Sequence, residues 1–329
     1  MRARALVSWL VAAAACLGAL SGGLRQLAAP PQALEARFVL SPSEIEIYKN
    51  AETLIDWAPR QIHHCPYLRK LQPAASQAQL PKILERVGQT VSLMMQDFPR
   101  IACDEVIAET RPGHGQVEFM GDTPMTQPSD STDTQKIKAR YIVVPSPVGE
   151  LPAFEEYRTK PDGTPLNASS LPGFIVTASK YASTCLYFSP ADQHDSRFRL
   201  FGTQMVRDRE CQVVGFAQDP EKARRIDRFH AYGATFGLLF QGLAWIDPEN
   251  SHILRITTWL LAPRKQIGIS SQSTTVDYYP VQPAGSQQVL WLPRDVTVLL
   301  VFGDTHVRNI HHYSDFKLFR VESTIKPGG

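Results

Sequence analysis

The sequence has few of the features that mark nucleic-acid binders and membrane-spanning proteins. Its charges are balanced, with 34 Lys and Arg against 32 Asp and Glu among 329 residues. The densest basic run, residues 222–228, is interrupted by Asp227, whereas nucleic-acid binding needs clustered cations. Beyond the N-terminus, no apolar run reaches the roughly 20 residues of a membrane-spanning helix. We therefore predict no nucleic-acid partner and, at most, peripheral membrane contact.

The sequence also lacks the spacings of common catalytic and metal sites. It contains no C-x-x-C or H-x-x-x-H pair for zinc and no G-x-S-x-G nucleophile turn. The adjacent pairs His63-His64 and His311-His312 are interpreted as ordinary histidines, because neighbours on a strand point to opposite faces. We therefore predict no catalytic residue, no metal and no cofactor. A secreted hydrolase with an unrecognised site remains the enzymatic alternative.

Long apolar runs are confined to the N-terminus. Arg2 and Arg4 precede the apolar run 6–20, and small residues follow at 21–23. This order is typical of a secretory signal peptide, so we predict export to the periplasm or cell envelope. Lipidation at Cys16 is the second interpretation, since Cys16 follows a run of small residues.

Cysteine is scarce. The chain has five, and four would remain after removal of a signal peptide. An even number in an exported protein favours disulfides, for which three connectivities exist. Sequence separation favours the pairs Cys65–Cys103 and Cys185–Cys211, and free buried thiols are the alternative.

The remaining pattern predicts an α+β protein with four parts. Residues 1–23 form the signal peptide, 24–42 a linker, 43–99 a helical segment and 100–329 an antiparallel β region. Ser43 and Glu46 have the spacing of a helix capping box, and Pro59 is expected to end that helix. Apolar residues at three- and four-residue spacing predict a second helix over 80–98.

From Arg100 onward the apolar period changes to two. Ile101, Cys103, Glu105 and Ile107 form the first alternating set, and the polar stretch Gly121–Gln135 is predicted to be an exposed loop. An edge strand is predicted near Phe154–Thr159. Strands joined by short turns then continue to Ile325, which indicates an antiparallel meander.

The C-terminal half resembles a known superfamily in the order of its motifs. These are the stretch at 242–255 that contains Asp-Pro-Glu-Asn-Ser, Tyr278-Tyr279, Leu290-Trp-Leu-Pro293 and the final stretch at 312–320. Together they resemble the LolA/LolB-like outer-membrane lipoprotein-sorting superfamily, and most closely its uncharacterised exported acidobacterial members. The resemblance implies a curved antiparallel half-barrel with helices packed on its concave side. It also implies that lipid, or the acyl chains of a lipoprotein, is held in a hydrophobic cavity.

One alternating set of apolar residues is the candidate lining of that cavity: Leu254, Ile256, Leu260, Val298 and Leu300. Their bulk and period-two spacing would place them on one face of the sheet. The same residues would equally suit a dry core packed against the helix over 80–98. We therefore predict an exported, non-catalytic binding protein for a lipid or acylated protein. A structural component of an envelope complex is the further alternative.

Overall fold

The computed structural model describes residues 38–112, 117–120, 123–126, 132–145, 154–166, 181–231 and 234–318. The predicted signal peptide and most of the predicted linker lie outside these ranges. Three α-helices come first, α1 (Pro42–Lys49), α2 (Pro59–His64) and α3 (Leu80–Asp97). A 3-10 helix, Tyr181–Phe188, lies in the middle of the chain.

The strands of the N-terminal half are β1 (Gln72–Pro73), β2 (Ile101–Pro112), β3 (Val117–Met120), β4 (Thr123–Thr126), β5 (Thr132–Pro145) and β6 (Phe154–Thr159). Those that follow are β7 (Ser196–Val206), β8 (Arg209–Gln218), β9 (Asp227–Ala231), β10 (Ala234–Leu238), β11 (Phe240–Ile246), β12 (Ile253–Leu260), β13 (Ile269–Val281), β14 (Leu290–Phe302) and β15 (Thr305–Leu318).

Eleven strands form one open antiparallel sheet in the order β1-β7-β8-β11-β12-β13-β14-β15-β2-β5-β6. Two hairpins, β3–β4 and β9–β10, stand apart from it. Strand β6 is an edge strand, as predicted for Phe154–Thr159. The β-rich fold class with preceding helices is thus confirmed.

Helix α1 begins two residues before the predicted capping box. Ser41, not Ser43, is the N-cap, and its backbone N–H donates to the Glu44 carboxylate at 2.9 Å. The reason is Pro42, whose fixed φ suits the first helical position. For the same reason Pro59 opens helix α2 instead of ending a helix.

Helix α3 is confirmed almost residue for residue, because an 18-residue apolar stripe is a strong signal. The predicted loop Gly121–Gln135 is wrong in part. Residues 123–126 pair with β3 as strand β4, and residues 132–135 belong to β5. The rest of that stretch lies outside the described residues.

Side chains on the two faces of the sheet pack in different clusters. On one face, residues of β7, β8 and β11 to β15 pack with β2, β5, α3 and the 3-10 helix in the main core. On the other face, residues 54–71 cover β7, β8, β11 and β12 in a second cluster. The main core reaches from β7 to β5, nine strands of the sheet, or about 38 Å if the sheet were flat. One helix and one 3-10 helix can cover that width only because the sheet curves around them.

Candidate functional site

The candidate site is the curved face of the sheet beneath α3 and Tyr181–Phe188, which we call the cover. Ile83, Val87 and Val91 of α3 point into this face and are at most 6% exposed. From Tyr181–Phe188, five side chains are buried against it: Tyr181, Cys185, Leu186, Tyr187 and Phe188. The cover therefore occupies the place that an apolar ligand would take.

Four of the five residues predicted to line a cavity lie on this face. Ile256 and Val298 are fully buried there, and Leu260 and Leu300 belong to the same cluster. Leu254 does not, since it packs in the second cluster on the opposite face. The cause is a β-bulge: Trp245 pairs with Arg255 and Ile246 with Ile253, which leaves Leu254 as an extra residue. The period of two therefore breaks at Leu254.

The cover fills most of the space above the sheet. Two small spaces lie at this face in the part of the chain that the structure describes, and each has room for about one water molecule. The first lies near Cys103, Tyr141 and Tyr181, and the second lies between Met94 and Trp291. A ligand of acyl-chain size would fit only if the cover moved. Whether these residues line a ligand cavity stays a prediction.

One polar network interrupts this apolar face. Arg158 on β6 donates to both carboxylate oxygens of Glu105 on β2, from Nε at 2.7 Å and from Nη2 at 3.1 Å. The Tyr313 hydroxyl also donates to Glu105, at 2.8 Å. His311 Nδ1 lies 2.8 Å from the same carboxylate, and its Nε2 lies 3.0 Å from the Tyr181 hydroxyl. The network thus joins three strands of the sheet to the first residue of the 3-10 helix.

The charge states of Glu105 and His311 follow from their burial and from the charged groups beside them. Burial alone would raise the pKa of Glu105, but the Arg158 charge and the His311 hydrogen bond lower it to about 2. Burial lowers the pKa of His311, against the opposing effect of Glu105. A charged Glu105 and a neutral His311 follow at neutral pH. Because a carboxylate only accepts, His311 Nδ1–H donates to Glu105, and Nε2 accepts from the Tyr181 hydroxyl.

This geometry anchors the cover more readily than it supports catalysis. The Glu105–His311–Tyr181 chain has the order of an acid, a base and a hydroxyl, but Tyr181 is 1% exposed and His311 is 0% exposed. A substrate would have to displace the cover to reach either group. What the chain does in the closed state is hold Tyr181 to the sheet.

Sequence reasoning interpreted His311 as an ordinary histidine and missed this network. It did place His311 and His312 on opposite faces, and His312 is indeed exposed and paired with Asp295 at 2.7 Å. The available signal was Glu105, a carboxylate in the same alternating set as Ile101, Cys103 and Ile107. A charged residue at a core position of a strand requires a buried partner.

The cysteines do not form the predicted bridges in the structure. All four are free and buried. Cys103 and Cys185 belong to the main core, whereas Cys65 and Cys211 belong to the second cluster, so each predicted pair is divided between the two faces. Burial raises the pKa of Cys185 to about 12 and that of Cys211 to about 11. These thiols are therefore unreactive in the folded protein.

The described residues also bear on two other kinds of site. No group of three or more His, Cys, Asp or Glu among them is arranged to hold a metal ion. Among the helices of the described ranges, none is long and apolar enough to cross a membrane.

The strand order and the covered apolar face define the class of fold, an open antiparallel half-barrel with a helical cover. The chain is similar to solved structures of the LolA-like superfamily. A domain named for outer membrane lipoprotein sorting, from Vibrio parahaemolyticus, is 10% identical, with a TM-score of 0.37 over 72% of this chain and 92% of that chain. A DUF1329 family protein from Desulfovibrio piger is 12% identical, with a TM-score of 0.35 over 73% and 95%.

A LolA superfamily protein from Nitrosomonas europaea is 13% identical, with a TM-score of 0.32 over 71% of this chain and 94% of that chain. No family model matches the sequence, and no curated protein matches it. Likenesses at this level say nothing of a ligand, so the site is argued from its own contacts. The closeness to acidobacterial proteins stays a prediction.

Proposed function

We propose that this is an exported binding protein that holds a lipid, or the acyl chains of a lipoprotein, between the curved sheet and the cover. The observation that carries the proposal is the nature of the cover. Apart from the Glu105 network, the sheet face is apolar, and within the described ranges it is closed by a short 3-10 helix and one α-helix. An apolar ligand could therefore replace the 3-10 helix and keep the sheet face dry.

Two polar groups of the 3-10 helix affect the balance between its closed and open positions in opposite directions. The hydrogen bond between Tyr181 and His311 favours the closed position. The Ser183 hydroxyl opposes it, because it is buried without a hydrogen-bond partner among the described residues. A buried, unsatisfied hydroxyl costs about 1–3 kcal/mol, which is recovered when the group meets water. Tyr181 and Ser183 thus have opposite effects on the closed position of the 3-10 helix.

The experiment removes each of these oxygen atoms in turn and measures the binding of an apolar fluorescent fatty acid. Tyr181→Phe should destabilise the closed cover by about 1 kcal/mol and tighten probe binding about fivefold. Ser183→Ala should stabilise the closed cover and weaken binding by a similar factor. Both variants lose a single oxygen, so their packing volumes stay nearly constant.

The proposal is supported if Tyr181→Phe tightens probe binding and lowers stability, while Ser183→Ala weakens probe binding and raises stability. Equal probe binding by both variants and the parent would contradict it. Phe201→Ala provides the control for general loosening. It removes a buried ring from the second cluster on the opposite face, so it should lower stability without changing probe affinity.

A structural component of an envelope complex is the second candidate. It is favoured by one observation, the small size of the spaces near Tyr181 and near Met94, which is what a permanently closed core would have. Absence of probe binding by the parent and by Tyr181→Phe would favour this candidate. For export itself, the protein from its own host should lack about two dozen N-terminal residues by mass.

A further inference from the structure

The outer face of strands β15, β2 and β5 carries a cluster of cations that the binding site does not use. Side chains alternate along a strand, so residues beside the buried set of β2 point away from the cover. On β5, Lys136, Lys138 and Arg140 follow each other at two-residue spacing, about 7 Å apart. All three are exposed.

Strand β15 adds two more cations to the same face. Arg308 and Lys317 are exposed and lie opposite the β2 residues Thr110 and Ala102. Strand β2 runs between β15 and β5, so the two rows of cations are about 10 Å apart. We call these five residues, Lys136, Lys138, Arg140, Arg308 and Lys317, the cationic face.

The cationic face is poorly neutralised. Two acidic side chains of β2 and β15 are exposed within the described ranges: Asp104, which is 3.8 Å from Arg140, and Asp315, at the bulge of β15 beside Lys317. None of the other four cations has a carboxylate partner in the described part of the chain. This concentration contrasts with the nearly balanced charge of the whole sequence.

Small and aliphatic side chains lie between the cations of β5 and those of β15. Val106 and Ala108 of β2 lie there, with Ile310 of β15 beside them, and all three are half-buried. The half of the sheet to the other side of β13 is covered by residues 54–71 on this same outer face. Residues 54–71 do not extend over the part of the outer face that carries the cations, and within the described ranges all five cations are exposed.

We propose that the cationic face docks the protein onto an anionic phospholipid surface. Three of the five cations are lysines, which act as point charges and suit a diffuse layer of phosphates better than the paired oxygens of a single carboxylate. The cations are spread over an open sheet face instead of converging on one point, which is complementary to the continuous negative charge of an anionic headgroup layer. The inference rests on the proposed function in one respect, since a carrier of apolar ligands must meet a membrane to exchange them.

The test measures sedimentation of the protein with vesicles of phosphatidylglycerol and phosphatidylethanolamine, beside vesicles of phosphatidylcholine. Comparing the two vesicle types cancels any binding through the apolar N-terminal segment. Lys136→Gln with Lys138→Gln should weaken binding to anionic vesicles about 25-fold, about fivefold for each lysine. The matched control, Lys82→Gln with Lys265→Gln, removes two exposed lysines from outside the face and should bind as the parent does.

Raising the salt concentration from 0.05 to 0.5 M should release the parent from anionic vesicles, because the electrostatic screening length then becomes shorter than the spacing of the charges. Equal binding to both vesicle types, or equal loss in both double variants, would overturn the proposal. Binding of soluble polyglutamate without binding of the vesicles would also overturn it and would assign the face to an acidic protein. Probe binding is measured separately on the same variants, so failure of the carrier function and failure of docking can be told apart.

Discussion

The buried ion pair of Glu105 and Arg158 gives the most direct quantitative test of the site. Glu105 is 0% exposed and Arg158 is 9% exposed, and two hydrogen bonds join them. Arg158→Met would leave a buried carboxylate with only His311 and Tyr313 as donors. Removing one partner of a buried pair costs about 3–5 kcal/mol, since the remaining charge is uncompensated.

Removing both charges should cost less than the two single changes combined. Glu105→Gln keeps an oxygen that accepts from His311 and Tyr313, and in the double variant with Arg158→Met no charge is left unpaired. We expect a coupling free energy of at least about 2 kcal/mol from guanidinium unfolding of the four proteins at pH 7. Additivity within about 0.5 kcal/mol would refute the reasoning, because it would mean that the two groups do not depend on each other.

The same pair predicts a pH dependence with a definite sign. The pKa of Glu105 is lowered from its ordinary 4.5 to about 2 in the folded protein. Its contribution is therefore present above pH 4.5 and is lost as pH falls toward 2. At 1.36 kcal/mol for each pH unit, the loss is about 3 kcal/mol. Glu105→Gln should remove this part of the acid dependence.

His311 acts at higher pH, because burial lowers its pKa below the ordinary 6.5. Protonation then favours the unfolded chain, so stability falls as pH drops below 6.5. His311→Gln should remove that fall, whereas His312→Gln, at the exposed neighbour, should retain it. A fall of equal size in both variants would contradict the neutral state of His311.

Three further outcomes are expected. Cys65, Cys103, Cys185 and Cys211 should all react with Ellman's reagent in guanidinium without reductant, and almost none of the four in the folded protein at pH 8, because the pKa of Cys185 is about 12 and that of Cys211 about 11. Thiols absent from the unfolded protein would instead indicate bridges. Arg264→Met should lower the free energy of unfolding by about 3 kcal/mol and expose the N-terminal helix to protease, since Arg264 is 1% exposed and donates to Glu44 at 3.1 Å. Ile256→Asn should cost several kcal/mol in a thermal melt, because its amide would be buried in the main core; a small change there would indicate a hollow site.

The sequence predicted best those elements whose signal is local. Helix α3 has a long apolar stripe, and its bounds were found nearly to the residue. The antiparallel meander followed from alternation and short turns. The local pattern did not show whether a given proline opens a helix or ends one. Pro42 and Pro59 both open a helix, and only the hydrogen bonds of the residues that follow distinguish the two roles.

The candidate site was predicted less well, because its decisive contacts join residues far apart in the chain. Glu105 meets Arg158 and His311 across intervals of 53 and 206 residues. The pairing register of the strands brings these residues into contact. Register depends on β-bulges, which the alternation of apolar and polar residues does not reveal. Leu254 is the clearest case, since one extra residue moved it to the opposite face.

A filled core and a binding face are compatible only if ligand and cover exchange places. The side chains that Tyr181–Phe188 buries are mostly apolar, so replacing them with acyl chains changes the apolar contact of the sheet little. The cost of opening then falls mainly on the hydrogen bond from Tyr181 to His311, and hydration of the Ser183 hydroxyl offsets part of it. Glu105 and Arg158 stay behind on the sheet when the cover leaves, still paired with each other. Under the proposed function the ion pair would stabilise the fold in both positions, whereas the polar contacts of Tyr181 and Ser183 would differ between closed and open.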